Sequence, residues 1–328
     1  MTERPLLLCG DLGSERCGVG ASESAALAAV GSRPHTVDPR HVGASLRGLL
    51  RARRSRQVVV VAYPTRSTVR SVRATVTLAL AAGLGRGRIR WHLHEYAIFG
   101  ERRALIDLLL VVGGGRVVVS TRSEAAALRR SRGGRVAHRV DVRVIPPANG
   151  TPVATAPVAT GAPADPPIVG LFGTARADKG LDVAVAALDS ALQTEARVET
   201  IGSGWDEAPW PPGVLDHLDV RHHGRLPTAR LASVMTRWTL AVAPFADGAT
   251  DGRMSLRTPL ACGIPTLTTV ARAEDLTLRP PHLLLDPATA WADARATDPA
   301  ARADGAAAVA RFEAETGRAL AAALWDAP

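Results

Sequence analysis

Short apolar runs alternate with longer segments rich in alanine and arginine along most of this chain. Apolar runs bounded by glycine, proline or polar residues are typical of strands buried on both faces, and the longer segments have the periodicity of amphipathic helices. We expect strands at 6–9, 58–62, 89–93, 117–120, 140–145, 168–172, 197–201, 220–223, 240–243, 266–269 and 283–285. We expect helices at 22–30, 69–82, 102–111, 123–130, 180–194, 227–237, 255–262 and 301–325. This alternation predicts parallel sheets covered on both faces by helices.

One segment, 145–167, has neither period. Its sequence is I-P-P-A-N-G-T-P-V-A-T-A-P-V-A-T-G-A-P-A-D-P-P, rich in proline, alanine and threonine, with Asp165 as its single charge. Such a composition is typical of a linker, and 328 residues suit two α/β domains. We therefore predict an α/β protein of two Rossmann-like, doubly wound domains, 1–148 and 168–328, with a linker at 149–167 and an interdomain cleft.

The charge is unevenly divided at the same segment. Residues 1–150 hold 25 arginines and 10 acidic residues, a balance of +15, whereas the remainder holds 15 basic and 21 acidic residues, a balance of −6. A basic half attracts nucleic acid, anionic lipid or phosphorylated partners. The densest run, L-R-G-L-L-R-A-R-R-S-R at 46–56, could form a helix whose basic face either contacts an anionic membrane or is solvated. No aromatic residue is interleaved with these arginines, so we expect no nucleic-acid partner.

Cysteine content and hydropathy bear on the cellular location of the protein and on whether it holds a metal. Cys9, Cys17 and Cys262 form no C-x-x-C pair and have no histidine at ligand spacing, which argues against a zinc site or a disulfide framework. No run approaches the roughly 20 apolar residues that a membrane span needs, and the first apolar run is too short for a signal peptide. We expect a cytoplasmic protein with no metal and no cofactor.

Lysine is almost absent from the chain. Of forty lysines and arginines, only Lys179 is a lysine, within L-F-G-T-A-R-A-D-K-G-L-D between a predicted strand and a predicted helix. An ammonium is a compact point charge and a guanidinium a broad planar fork, so this exception suggests a tight anion site. Gly173 would form the turn, and Arg176 and Lys179 could converge on a diphosphate. The G-x-x-x-x-G-K-[ST] spacing is absent, so the segment is not a Walker loop.

Three further loops follow predicted strands and carry residues suited to binding. G-D-L-G-S-E-R-C-G-V-G-A-S-E-S places Gly18 and Gly20 before a helix, where backbone amides can approach an anion. W-H-L-H-E-Y places His94 directly after a strand, either facing the cleft or satisfied by a buried hydrogen bond, whereas His92 lies within the strand and is not assigned to the site. In A-D-G-A-T-D-G-R-M-S-L-R-T, Ser255 could cap a helix whose first amides point at a ligand.

At these residues the chain resembles the retaining GT-B glycosyltransferases of family 4 (group 1), which use nucleotide sugars. F-G-T-A-R-A-D-K-G-L-D is similar to the family's phosphate motif, and A-C-G-I-P-T-L-T-T to its A-x-G-x-P-V-V step. I-G-S-G and H-H-G-R-L-P are similar to its G-x-G turn and to its loop near the nucleotide base. E-R-C-G-V-G-A-S-E-S and H-E-Y-A-I-F-G are similar to two segments of a subgroup. The resemblance spans nearly the whole chain in family order.

The resemblance implies a GT-B fold and the transfer of a sugar from a nucleoside-diphosphate sugar to an acceptor hydroxyl, with retention and without a metal. It implies that Lys179, supported by Arg176, neutralises the donor diphosphate, and that His94 lies by the donor sugar. The other donor-binding positions that it implies are Gly18, Gly20, Gly173, Gly202, Arg225, Leu226, Gly252, Arg253, Met254, Ser255 and Leu256.

One departure concerns two glutamates that the family carries eight residues apart and that hold the donor's hydroxyls. Counted back from Gly263, those positions are Thr250 and Thr258, although R-M-S at 253–255 fits a subgroup with R-x-S. The alternative is therefore a catalytically inactive homologue that binds a nucleotide sugar or supports a partner enzyme. An epimerase of the same fold would need several cleft carboxylates, and Glu95 is the only obvious one. A nucleic-acid binder built on the basic half is a further rival, but the sequence offers no recognised module for it.

Overall fold

The computed structural model describes residues 5–12, 18–29, 31, 33–65, 67–68, 70–94, 96, 103–136, 138–147, 166–175, 179–192, 196–208, 210, 219–270 and 272–325. Contacts divide the chain into two compact units, one made of Met1–Gly150 and Glu313–Pro328 and the other of Thr151–Phe312. Most of the predicted linker, together with Cys17, Glu95 and Arg176, lies outside the described residues.

The first unit is built on six parallel strands. The strands are β1 (Leu6–Leu8), β2 (His35–Val37), β3 (Val59–Tyr63), β4 (Ile89–Leu93), β5 (Gly115–Val119) and β6 (Val140–Val144). The helices are α1 (Gly18–Ala29), α2 (Val42–Arg54), α3 (Val72–Leu84), α4 (Arg103–Gly113) and α5 (Arg122–Arg130). The order in the sheet is β2-β1-β3-β4-β5-β6.

The second unit repeats this plan. Its strands are β7 (Ile168–Phe172), β8 (Arg197–Ile201), β9 (Val220–His222), β10 (Leu240–Ala243), β11 (Thr266–Thr268) and β12 (Leu283–Leu284). Its helices are α6 (Leu181–Leu192), α7 (Thr228–Met235), α8 (Met254–Ala261), α9 (Ala290–Ala296) and the first half of α10 (Pro299–Trp325). The strands are parallel in the order β12-β11-β10-β7-β8-β9.

The strand order places a switch point between β7 and β10. The chain adds β8 and β9 on one side of β7, then returns to add β10, β11 and β12 on the other side. Loops that follow the two strands at such a point diverge, and in open α/β sheets ligands bind in the crevice between them. A ligand-binding site is therefore expected at the loops that follow β7 and β10.

Both faces of the first sheet are covered by apolar side chains. Leu6 and Leu8 point to one face and Leu7 to the other, in keeping with the two-residue period of a strand. The first face packs against α2 to α5, and the second packs against α1 and the end of α10. Burial on both faces explains why β1 and β3 are continuous apolar runs rather than alternating ones.

The structure departs from the sequence-based expectations in three places. An unpredicted edge strand, β2, and an unpredicted helix, α9, are present. The residues from 313 onward belong to the first unit, whereas the sequence predicts that all of 168–328 belongs to the second domain. Among the described helices, none is both long enough and apolar enough to cross a lipid bilayer.

Candidate functional site

A glycine turn follows β7 at the switch point of the second sheet. Gly173 has a φ of +110°, which favours glycine, and its amide donates to the carbonyl of Ile201 at 2.9 Å. A Cβ at Gly173 would lie 3.0 Å from the Cβ of Ser255 and 3.6 Å from Nζ of Lys179. The missing side chain thus lets Ser255, which comes from the loop after β10, approach the turn after β7.

A second turn packs edge to edge against the first. Gly202 follows β8 with a φ of +132°, and a Cβ there would lie 1.7 Å from the carbonyl oxygen of Gly173. The amide of Gly202 donates to the carbonyl of Gly224 at 2.7 Å, which joins the turn after β8 to the one after β9. Three consecutive loops at the carboxyl edge of the sheet are therefore locked together through glycines.

Lys179 lies beside this turn and the start of α8. Its side chain is 9 % exposed, and its ammonium donates to Oγ of Ser255 at 3.0 Å. The ammonium also lies 4.4 Å from the ring centroid of Phe245, a cation–π distance. These two contacts orient the ammonium between the turn after β7 and the start of α8.

A second cation contacts the same ring. The guanidinium of Arg253 lies 4.9 Å from the ring centroid of Phe245, and its Nη2 donates to the carboxylate of Asp247 at 2.8 Å. Asp247 is 63 % exposed, and an ion pair in that position contributes little stability. Phe245 was not singled out in the sequence, where its only signal was its place directly after a strand.

The start of α8 provides backbone donors. The amide of Arg253 donates to the carbonyl of Thr250 at 3.0 Å, within the preceding turn. The amides of Met254 and Ser255 have no acceptor in the part of the chain that the structure describes. Ser255 does not cap the helix as expected: the helix begins at Met254, and the hydroxyl of Ser255 accepts from Lys179 instead. The two amides carry the positive end of the helix dipole.

The positions of the two absent glutamates lie in and beside this loop. Thr250 accepts the amide of Gly252 through Oγ1 at 3.3 Å, and Thr258 is buried within α8. Asp251 is the nearest carboxylate in sequence, but it is buried and accepts the amides of Thr277 and Leu278 at 2.9–3.0 Å. Asp251 therefore anchors the loop and does not take the place of either glutamate.

The remaining donor-binding positions of the second unit are less concentrated. Arg225 is exposed and donates from Nη2 to Oγ of Ser203 at 3.3 Å. Leu226 is half-buried and packs against the apolar cluster beneath α7. Leu256 is fully buried, and its amide donates to the carbonyl of Arg253 at 3.0 Å, so neither the side chain nor the amide of Leu256 is available to a ligand. Met254 is half-buried at the first position of α8.

In the first unit, the two predicted glycines begin α1. A Cβ at Gly20 would lie 1.8 Å from the carbonyl oxygen of Asp11, so this glycine allows α1 to pack directly on the loop after β1. Gly18 is the first residue of α1. The carboxylate of Asp11 in turn accepts the amide of Ser67 at 2.8 Å, which links the loops after β1 and β3.

His94 is buried in the first unit. Its backbone amide continues the pairing of β4 by donating to Tyr63, and its Nε2 lies 3.2 Å from Nδ1 of His92. The same Nδ1 also contacts Oε1 of Glu23, a fully buried residue of α1. Neither Glu23 nor His92 was predicted for the site. The H-x-H spacing is a visible signal for His92. Glu23 lies within the E-R-C-G-V-G-A-S-E-S segment, but that segment was interpreted through its glycines alone.

Burial shifts the protonation of this cluster. It raises the pKa of Glu23 to about 7, with the charge of His94 opposing the rise. It lowers the pKa of His92 to about 3, and it also holds the pKa of His94 well below its ordinary value. The two histidines thus favour their neutral forms, and Glu23 becomes ionised only near neutral pH.

The sequence matches no known family profile and no curated protein. The structure is similar to a sucrose-phosphate synthase from Thermosynechococcus elongatus, with a TM-score of 0.54 and 18 % identity over 99 % of this chain and 95 % of that one. It is similar to a glycosyltransferase from Rickettsia africae, with a TM-score of 0.59 and 11 % identity over 99 % of both chains. It is also similar to an α-glucosyltransferase in complex with UDP and DNA, with a TM-score of 0.60 and 8 % identity over 99 % of this chain and 96 % of that one.

At these identities the likeness establishes the fold. Two parallel six-stranded sheets with flanking helices form the GT-B fold that the sequence predicted.

Proposed function

We propose that this protein is a glycosyltransferase that moves a sugar from a nucleoside-diphosphate sugar to an acceptor hydroxyl, with retention at the anomeric carbon. The observation that carries the proposal is the ammonium of Lys179, held by Ser255 over the ring of Phe245 at the switch point of the second sheet. Two amides at the start of α8 add to the positive potential there. An anion of about the size of a diphosphate suits this arrangement.

The chemistry needs a stabilised leaving group. The bond between the anomeric carbon and the diphosphate oxygen breaks with its electron pair on that oxygen. The acceptor oxygen bonds to the same face of the carbon, and its proton passes to the departing diphosphate. Lys179 and the amides of Met254 and Ser255 would hold the charge that develops on the diphosphate, as fixed donors do in other electrostatically driven reactions. The guanidinium of Arg253 contacts the same ring of Phe245 as Lys179 does. If it released Asp247, it would add a second positive charge to the stabilisation of the diphosphate.

The donor base is proposed to be uracil. Two structures with similar folds contain UDP or UDP-glucose. The nucleoside would bind at the two turns that contain Gly202 and Gly224, next to Arg225. The acceptor is proposed to be acidic, phosphorylated or membrane-borne, because residues 1–150 carry a balance of +15.

We propose a cytoplasmic location, for which the cysteines give support. Cys9 and Cys262 are buried free thiols, which suits a reducing compartment. Burial raises the pKa of Cys262 to about 12, so this thiol stays protonated and unreactive.

A catalytically inactive homologue is the second candidate. It is favoured by Thr250 and Thr258 in place of the two glutamates, and by the fact that Asp251 is occupied by the segment at 277–278. Such a protein would bind a nucleotide sugar through Lys179 without transferring the sugar.

Calorimetric titration of UDP, GDP and dTDP in the presence of EDTA tests the donor site. The wild type should bind UDP most tightly, and Lys179→Met should weaken that binding at least about tenfold, or 1.4 kcal/mol. Ser255→Ala should weaken it less, because the ammonium keeps its charge but loses its anchor. Ser233→Ala removes an exposed hydroxyl of α7 and is the matched control, which should bind as the wild type does.

Failure of all three nucleotides to bind, or equal binding by wild type and Lys179→Met, would contradict the proposal. Hydrolysis or transfer of UDP-sugars by the wild type then separates the two candidates. Release of UDP that depends on Lys179 supports the transferase, whereas tight UDP binding without release supports the inactive homologue.

A further inference from the structure

Three buried side chains of the first unit meet on one side of its sheet. His92 and His94 are two residues apart at the end of β4, so they point to the same face. That face is covered by α1, which contributes Glu23. One nitrogen of each histidine and one oxygen of the glutamate all lie within 4.8 Å of one another.

The contacts converge on a single atom rather than forming a chain. Nδ1 of His92 lies 3.2 Å from Nε2 of His94 and also contacts Oε1 of Glu23. In a proton relay through an imidazole, one partner binds each ring nitrogen, because one nitrogen donates and the other accepts. Here both partners share Nδ1, while Nε2 of His92 is buried and has no hydrogen-bond partner among the described residues. The arrangement is therefore a poor relay.

The same convergence suits a metal ion. The lone pairs of two imidazoles and a carboxylate can all point at one cation, and the remaining oxygen of Glu23 is likewise buried without a hydrogen-bond partner in the described structure. A tetrahedral zinc ion about 2.1 Å from each nitrogen sets them about 3.4 Å apart, and the two nitrogens here are 3.2 Å apart. Oε1 of Glu23 would move outward from Nδ1 of His92 on binding the ion.

Burial of the carboxylate also calls for a cation. Glu23 is fully buried, and its neighbours on α1 and the sheet belong to an apolar cluster that includes Ala26, Leu7 and Val60. An isolated carboxylate in such surroundings is costly unless it is paired or bound to a metal. A divalent ion held between the three side chains would pair with that charge.

We propose that Glu23, His92 and His94 form a three-ligand site for a divalent first-row transition metal, with Zn²⁺ the best match. Nitrogen ligands disfavour Mg²⁺ and Ca²⁺, which take oxygen ligands. Three protein ligands leave a fourth position for water or another ligand. The site departs from the expectations that the chain holds no metal and that His94 contacts the donor sugar. It does not depend on the proposed function, because that function is carried by residues of the second unit.

Metal content tests the site without reference to activity. Purified wild type is stripped with chelator, incubated with ZnCl₂, passed through a desalting column and analysed by mass spectrometry for zinc. It should retain about one Zn²⁺ per chain, and Glu23→Gln and His92→Ala should each lose most of it. His41→Ala removes an exposed histidine of the same unit and should retain zinc as the wild type does.

Replacement of zinc by Co²⁺ adds a spectroscopic readout. Wild type should show the intense visible absorption of four-coordinate Co²⁺, and Glu23→Gln should not. Zinc should also raise the thermal unfolding midpoint of the wild type, whereas the same concentration of MgCl₂ should not.

Wild-type measurements alone can overturn the proposal, even where a variant fails to fold. Loss of zinc from the wild type on the desalting column, together with the absence of four-coordinate Co²⁺ absorption, would do so. Among the variants, an equal loss of zinc from His41→Ala and His92→Ala would also overturn the proposal. UDP binding is measured in EDTA, so failure of the metal site and failure of the donor site can be told apart.

Discussion

The ammonium of Lys179 is the only side-chain amine in this protein, so it can be modified selectively. It is largely buried and engaged with Ser255 and Phe245, and a diphosphate bound there would cover it further. We expect acylation of Lys179 by an N-hydroxysuccinimide ester to slow about tenfold at a UDP concentration ten times the Kd. Mass spectrometry of the peptide that contains Lys179 gives the rate.

Two comparisons make that measurement specific. Ser255→Ala should acylate faster than the wild type without UDP, because the ammonium has lost its acceptor. A lysine-containing reference peptide in the same tube should react at one rate throughout. Equal rates for the protein with and without saturating UDP would show that the nucleotide binds away from Lys179.

His282 should make stability depend on pH. Burial lowers its pKa below 6.5, with the charge of Arg302 adding to the effect and the hydrogen bond to the carbonyl of Leu260 opposing it. A group whose pKa is lower in the folded state contributes stability above its unfolded pKa, and this is lost as the pH falls. The free energy of unfolding should therefore decrease below about pH 6.5, by at most about 1.4 kcal/mol per pH unit from this residue.

The variant His282→Gln isolates this contribution. Glutamine can still donate to Leu260 but does not titrate, so its urea-unfolding free energy should fall less between pH 6.5 and 5.5 than that of the wild type. Parallel curves for the two proteins would mean that His282 does not gain a proton on unfolding in this range.

At the scale of elements, two helical glycines should respond in opposite ways to alanine. A Cβ at Gly305 of α10 would lie 1.8 Å from Nδ1 of the buried His282, whereas a Cβ at Gly83 of α3 meets nothing within 4 Å. Alanine is favoured over glycine in helices by about 1 kcal/mol. Gly83→Ala should therefore stabilise the protein by up to that amount, while Gly305→Ala should destabilise it by about 2 kcal/mol through overpacking.

Thermal unfolding midpoints of the two variants provide the check. Each variant is the other's control, since the chemical change is the same. A higher midpoint for Gly305→Ala would mean that α10 moves away from His282 at little cost.

The central strands could be predicted from sequence because they are buried on both faces. Ile89–Leu93, Ile168–Phe172, Arg197–Ile201 and Leu240–Ala243 have the predicted bounds. The strand β2 was missed because it is short, lies at the sheet edge and exposes His35 and Thr36, so it has no apolar run. The start of α8 was placed one residue late, because Ser255 has the composition of a cap but uses its hydroxyl for Lys179.

The candidate site could be predicted only in part. Lys179 and Ser255 were identified in different loops, and the structure brings them to 3.0 Å. The ring of Phe245 contacts both Lys179 and Arg253. The sequence does not predict this role, since a phenylalanine that follows a strand is ordinarily part of the core. Glu23 was missed because its partners lie 69 and 71 positions away, and only the packing of α1 on β4 joins them.

At the scale of the molecule, the C-terminal part of α10 should contribute strongly to the stability of the first sheet. Leu324 is fully buried among residues of α1, β1, β3 and β5, and the carbonyl of Ala323 accepts Nη1 of Arg90 at 2.8 Å and of Arg116 at 3.1 Å. Leu324→Ala should cost about 3 kcal/mol. Hydrogen exchange should speed up in peptides from β3 and β4, and remain unchanged in those from β8 and β10.

An exposed leucine of the same unit provides the control. Leu108 of α4 is 48 % exposed, and its replacement by alanine should change stability by no more than about 0.5 kcal/mol. Faster exchange in both sheets of Leu324→Ala would show that the two units unfold together.

The first unit is discontinuous in the chain, and this sets an order on its biosynthesis. All of Thr151–Phe312 leaves the ribosome between the two pieces of the unit that begins at Met1. The second unit is continuous, so it can complete its sheet while the earlier strands still lack Leu320 and Leu324 over one face. One face of the first sheet therefore stays exposed until the end of α10 has been synthesised. A chaperone that binds apolar surface could bind this face during that interval.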